Sequence, residues 1–208
     1  MKAPVSRRGS TSSDRMTYLF SLHVAWELMI TKKQFQEAQR RAANQLLEAG
    51  IVLTKNEKES IEVADFGLGD LEHFGLEIVV YVNTDRCCAK ELVLFPFQTC
   101  PEHLHPDIGD NLGKEETFRC RRGRLHLYVP GPKTEQPHAK IPASKLKYFT
   151  VWNEIVLDPG EQFTLPPKTL HWFQAGNKGA IVSEFSSKSV DEKDQFTDPE
   201  IERTTIVS

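Results

Sequence analysis

The chain lacks the features that would place it in several large classes. It has 4 cysteines in 208 residues (Cys87, Cys88, Cys100 and Cys120), and no two of them form a CxxC pair. Adjacent cysteines rarely bridge each other, and no secretory signal is evident. The four therefore read as reduced thiols of a cytosolic protein, small and buried, rather than as a disulfide framework or a metal knuckle. Positive charge is not in excess either: 26 Lys and Arg stand against 29 Asp and Glu, for a net charge of −3. Nucleic acid and anionic membrane surfaces thus find little to hold. No apolar run reaches the roughly 20 residues of a membrane span. The nearest approach, residues 16–30, is interrupted by His23 and Glu27 and followed by Lys32 and Lys33, with no small-residue cleavage site. No internal repeat is apparent. The expected partner is a small molecule.

What is present suits one sizeable core with an appended element. Met29-Ile-Thr-Lys-Lys-Gln-Phe reads as a natural start, with Thr31 as N-cap and Gln34 completing a capping box. Residues 1–28 are then expected to be a variable extension or an upstream mis-assigned start, and residues 29–208 a single domain. Helix formers fill 32–48, with Phe35, Ala38, Ala42, Leu46 and Leu47 on one stripe and Gly50 closing the helix. Strands are predicted at 76–82, 90–97, 116–121, 124–129, 149–157, 172–175 and 180–185, with Gly, Pro, Asn and Asp turns between them. Many short strands at close spacing point to one antiparallel barrel or sandwich. The polar tail from Ser186 is expected to wrap the surface or a partner subunit.

The chemistry concentrates in two stretches. His103 and His105 are two residues apart in Cys100-Pro-Glu-His-Leu-His105, so an extended strand sends both rings to one face. Gly113-Lys-Glu-Glu-Thr-Phe118 can pair back and bring a carboxylate to that face, and the turn-rich Asp158–Leu170 segment delivers His171. Three imidazoles and one carboxylate suit a divalent transition metal. If Glu116 points inward, strand alternation puts Lys114, Phe118 and Cys120 on its face and turns Glu115, Thr117 and Arg119 away. Glu184 interrupts the apolar run Ala180–Phe185; a carboxylate there is paired, solvated, functional or simply outward-facing. Lys90 is a second candidate, either at a substrate oxygen or as an exposed edge charge. His23, His73, His126 and His138 read as structural or loop residues. Trp152, Trp172, Phe163 and Phe173 read as core or as a stacking face for a sugar.

These blocks resemble the two motifs of the cupins. Six residues separate Glu116 from Gly123, as in the first motif, although the interval between His105 and Glu116 is longer than in a minimal cupin. Pro159-Gly160, Pro166 and His171 match the second, with Lys168 where a glycine is usual. A closer resemblance runs from about Met29 to Arg203. Val63–Gly69, Asn83–Lys90, Gln98–His105, Gly113–Phe118 and Ser183–Ser186 are similar to the D-lyxose isomerases, which are cupin-type sugar isomerases. That resemblance implies a mainly β, jelly-roll barrel with an N-terminal helix and short peripheral helices. It also implies a Mn²⁺-dependent homodimer interconverting D-lyxose and D-xylulose, and often D-mannose and D-fructose.

Aldose–ketose isomerisation moves a proton between adjacent carbons through a cis-enediol. It requires a base and something to hold the developing oxyanion. His103, His105, Glu116 and His171 are the expected ligands; Glu184, Lys90 and Lys114 are the expected catalytic groups, with Glu115 or Lys90 as other candidates for the base. Two alternatives stay open on the residues alone: a non-haem Fe(II) cupin oxygenase and a non-catalytic sugar-binding cupin.

Overall fold

Thr31 begins the first helix. Its side chain accepts from the Gln34 backbone while the Gln34 side chain accepts from the Thr31 backbone. This reciprocal cap satisfies two of the donors that a helix start leaves orphaned. Helix α1, Lys32–Glu48, follows, and Gly50 at φ +78° ends it. The computed structural model describes residues 29–208, so the expectation for residues 1–28 lies outside the described residues. Ala38, Ala42 and Leu46 bury the inner face of α1 against Val63, Val79, Val93 and Ile181. Leu47, expected on the same stripe, is 55% exposed, because one residue beyond Leu46 lies about 100° further round the helix. A short second helix, α2 (Lys55–Glu59), has its own capping box from Thr54 and Glu57. No described helix is long and apolar enough to cross a membrane.

The remainder is built on nine strands: β1 Glu62–Ala64, β2 Leu76–Asn83, β3 Cys88–Leu94, β4 Thr99–Leu104, β5 Glu116–Val129, β6 Asn153–Leu157, β7 Gln162–Leu165, β8 His171–Ser186 and β9 Gln195–Phe196. All named strand pairs are antiparallel. Two long strands, β5 and β8, pair with each other along most of their length, and each changes its second neighbour midway. The start of β5 pairs with β7 and its end with β6. The start of β8 pairs with β4 and its end with β3. One arm is therefore β1-β2-β3-β8-β5-β7 and the other β9-β4-β8-β5-β6, joined along a shared corner. The result is the mainly β, cupin-type jelly-roll barrel that the resemblance implies. Apolar residues of both arms, among them Leu92, Phe118, Leu127, Trp172 and Val182, meet in one core.

Glycine makes the corner. Gly123 and Gly179 both have φ +76°, and a Cβ on Gly123 would lie 2.0 Å from the Gly179 carbonyl oxygen. The strands cross too closely there for any side chain. The runs predicted as separate strands at 116–121 and 124–129 are consequently one bent strand, as are those at 172–175 and 180–185. Elsewhere, a 3-10 turn at Leu146–Tyr148 delays β6 to Asn153, and β3 stops at Leu94, three residues before Phe97 takes φ +62°. Cys88, Cys100 and Cys120 are buried free thiols, whereas Cys87 is exposed. The tail does wrap the chain: β9 pairs with β4, and Val207 bridges to Ile30.

Candidate active site

β4, β5 and β8 aim their chemistry-bearing side chains into the space between the arms. His103 and His171 are register partners, with ring centroids 4.3 Å apart, and His105 lies 4.9 Å from His103. Each of the three rings offers a nitrogen, all within 4.8 Å of one another. Glu116 is the first residue of β5. Its Oε1 lies 3.1 Å from both His105 Nε2 and His171 Nε2. The alternation read from sequence is present in the burial: Lys114, Glu116, Phe118 and Cys120 are buried, whereas Glu115 and Arg119 are exposed. The long interval before Glu116 forms an exposed loop, in which Asp107 accepts from Gly113 N at 2.9 Å and from Lys168 Nζ at 2.9 Å. Lys168, standing where a glycine is usual, adopts the glycine-like φ of +62°.

The other nitrogens of the rings are tied off. His103 Nδ1 lies 2.8 Å from the Pro101 carbonyl, and His171 Nδ1 lies 2.9 Å from the Thr169 carbonyl. A carbonyl only accepts, so both Nδ1 atoms carry the proton and each Nε2 keeps its lone pair. Asp194 does the same for His105 at 2.5 Å. His171 Nε2 consequently has no hydrogen-bond partner even though Glu116 Oε1 is close by: two acceptors face each other. Burial and the two neighbouring rings push His103 well below the ordinary imidazole range, which keeps it neutral. His105 is also buried, but the charge on Glu116 and the bond to Asp194 outweigh that and raise it to about 9. His103 and His171 present Nε2 lone pairs toward Glu116, and His105 presents an Nε2 whose second proton an incoming cation would displace; such a set fits a divalent cation.

Beside this cluster, Lys114 Nζ lies 2.8 Å from Glu116 Oε2 and 3.0 Å from Glu184 Oε1. Glu184 is 4% exposed, so the outward-facing reading of this residue does not hold. Lys90 is not an edge charge either. It is buried 3.9 Å from Glu184, donating to Ser189 Oγ at 2.9 Å and to Asp191 at 2.7 Å. The cavity bounded by these groups is about 40 Å³, room for roughly one water. Outside it lies a cleft of about 560 Å³ that shares His105, Lys114 and Asp194 with the cavity.

Sequence reasoning missed the contribution of the tail. Asp191, Asp194, Phe196 and Arg203 line the same cavity. The only signal was the density of charge in a segment that otherwise read as solvated. The expected aromatics divide: Trp172 is core, stacked on Tyr128 at 3.9 Å, while Phe173 reaches the cavity. His73 pairs with Asp70 in an exposed loop, away from the site.

A jelly-roll barrel whose buried pocket gathers three imidazoles, carboxylates and two ammonium groups has the character of an enzyme acting on a small polar molecule. The sequence profile of the D-lyxose isomerase family matches residues 131–208. The D-lyxose ketol-isomerase of Thermofilum sp. (strain ex4484_79) is 65% identical over 175 residues, 84% of this chain and 97% of that protein. The D-lyxose/D-mannose isomerase of Thermosediminibacter oceani is 62% identical over the same length, with the same coverage. The chain belongs to the D-lyxose isomerase family and is an aldose–ketose isomerase. Among solved structures, L-ribose isomerase of Acinetobacter sp. DL28 matches with a TM-score of 0.74 at 16% identity, covering 86% of this chain and 98% of that one. At that identity the likeness speaks for the fold.

Proposed function

We propose that the protein interconverts D-lyxose and D-xylulose, and D-mannose and D-fructose at the same site, with a bound divalent ion, Mn²⁺. His103, His105, Glu116 and His171 hold the ion. The observation that carries this reading is the set of anchored rings: Pro101 O, Asp194 and Thr169 O each take an Nδ1–H, which aims three Nε2 atoms at Glu116, and a bound ion would take the place of the second proton on His105. When bound, such an ion supplies Lewis-acid polarisation and a template for adjacent sugar oxygens.

The chain's own residues do the rest. Glu184 takes the proton from one sugar carbon and returns it to the neighbouring one, passing through the cis-enediol. Lys114, whose ammonium already spans Glu116 and Glu184, donates to the sugar oxygen on which charge develops. Lys90, kept cationic by Glu184 and Asp191, steadies the charge on Glu184 between proton transfers. A sugar is too large for a 40 Å³ cavity, so it enters through the outer cleft while the exposed 106–112 loop gives way. Two carboxylates and two ammonium groups already held in the dry interior leave little reorganisation for the reaction itself.

The test is to strip metal with chelator, restore Mn²⁺, and follow ketose formation from D-lyxose. Activity should vanish and return, and His103→Ala and His171→Ala should lose bound metal and turnover together. Full turnover in enzyme shown to be free of metal would overturn the metal-dependent reading. The family likeness also supports a homodimer, and the free cysteines a cytoplasmic location; a monomer mass by light scattering at working concentration would remove the dimer.

A further inference from the structure

A second cluster lies outside the isomerase cavity. His126, His138 and Glu154 bring their donor atoms within 4.8 Å of one another. His126 is on the far arm of β5 and Glu154 is on β6, where Tyr128 pairs with Glu154 and His126 with Val156. His126 and Glu154 are thus diagonal neighbours on one sheet face. His138 comes from the loop between β5 and β6. His126 Nδ1 lies 2.9 Å from Glu154 Oε1, and His138 Nδ1 lies 3.0 Å from Oε2. One carboxylate therefore takes an imidazole nitrogen on each oxygen, whereas in the isomerase site both close nitrogens lie at the single oxygen Glu116 Oε1.

The surroundings resemble a supported ligand set. Tyr128 donates its hydroxyl to Glu154 Oε1 at 2.6 Å and fixes the carboxylate. The two rings stack at 4.9 Å with an interplanar angle of 23°. The side chains of His126 and Glu154 are buried, that of His138 is 60% exposed, and both histidines line a cleft of about 490 Å³. An ion there has a way in and one side open to water.

We propose that His126, His138 and Glu154 form a second divalent metal site, of the zinc class, that clips the loop between β5 and β6 onto the sheet. Two imidazoles and a carboxylate with water completing the shell suit Zn²⁺, and Co²⁺ or Ni²⁺ with less selectivity. On binding, each ring moves its proton from Nδ1 to Nε2, facing the cleft, so that the Nδ1 lone pairs meet the ion. The role is structural. The same loop ends in Thr150 and Val151, whose backbone N–H groups donate to Glu102 at 2.6 and 3.0 Å, beside His103 on β4. A clipped loop therefore steadies the strand that carries His103 and leads directly into His105.

The experiment counts metal on the full-length protein. Chelator-stripped wild type, His138→Ala and Glu154→Gln are each incubated with excess Zn²⁺, desalted and assayed by plasma emission. Wild type should hold one equivalent per chain more than either variant. Zn²⁺ should also raise the melting temperature of a His103→Ala/His171→Ala protein by several degrees, and His138→Ala added to that background should abolish the rise. Because the first readout is a difference and the second is made without the isomerase-site histidines, failure of the isomerase metal reading leaves both intact. Equal zinc content with and without His138, or no thermal response in the double variant, overturns the proposal.

Discussion

Asp194 accepts the Nδ1–H of His105 at 2.5 Å across 89 positions of sequence. One ring of the cluster is thus aimed by a residue from the tail. Asp194→Ala should weaken metal binding by about 10–100-fold, the usual effect of losing such a support. Turnover measured at saturating Mn²⁺ should largely recover. A metal titration of activity distinguishes this from general misfolding, in which added metal restores nothing.

Glu184→Gln keeps the size of the side chain and removes its basicity. Bound metal should be unchanged while kcat for D-lyxose falls by about 10²-fold or more. An unchanged kcat removes Glu184 from the proton transfer.

Lys114 is the only cation within 3.0 Å of both Glu116 and Glu184 among the described ion pairs. Lys114→Met leaves two buried carboxylates without it and should cost about 3–5 kcal/mol in chemical denaturation of the metal-free protein. Adding Glu184→Gln should restore part of that stability without restoring activity. If the two losses simply add, the residues are not coupled.

Glu77 on β2 sets a pH dependence away from the site. Burial raises its carboxyl from 4.5 to about 8, and Gln98 offers only a 3.4 Å contact against that. Its Oε2 has no partner. Between pH 4.5 and 8 the folded chain keeps a proton that the unfolded chain has released. This contribution to stability is therefore full below pH 4.5 and is lost as pH rises through 8. Glu77→Gln should flatten that decline and gain about 2–4 kcal/mol at pH 9, read from urea curves at several pH values.

At the corner, Gly123→Ala combines an unfavourable φ of +76° with a Cβ 2.0 Å from the Gly179 carbonyl. The backbone must move to admit it, at a cost of about 2–4 kcal/mol. A melting temperature within a degree of wild type would show that the strands separate more easily than this geometry allows.

Legibility in the sequence followed the range of the interactions. The bounds of α1 were readable because Thr31, Gln34 and Gly50 act locally. His103 with His105, and Lys114 with Glu116, were readable as pairs because alternation along an extended stretch decides which side chains share a face, whereas His171 was legible only through its motif. The bends of β5 and β8 were not, since a glycine at positive φ signals a turn equally well within a strand or between two. Nor was β9 visible: two residues carry no periodicity, and Asp191, Asp194 and Arg203 gain their meaning only from partners far away in the chain. Leu47 shows the converse, an apolar residue on a plausible stripe that the sheet does not reach.

The way the tail closes over the barrel carries a consequence for the life of the molecule. The cluster histidines and Glu116 sit on walls made by β4, β5 and β8, but the floor beneath Lys90 and the brace behind His105 come from the last stretch of chain. Protease nicking ahead of Asp191 would leave walls standing around an unsupported pocket. Support for the pocket thus depends on a stretch of chain that contributes only one two-residue strand to the sheet.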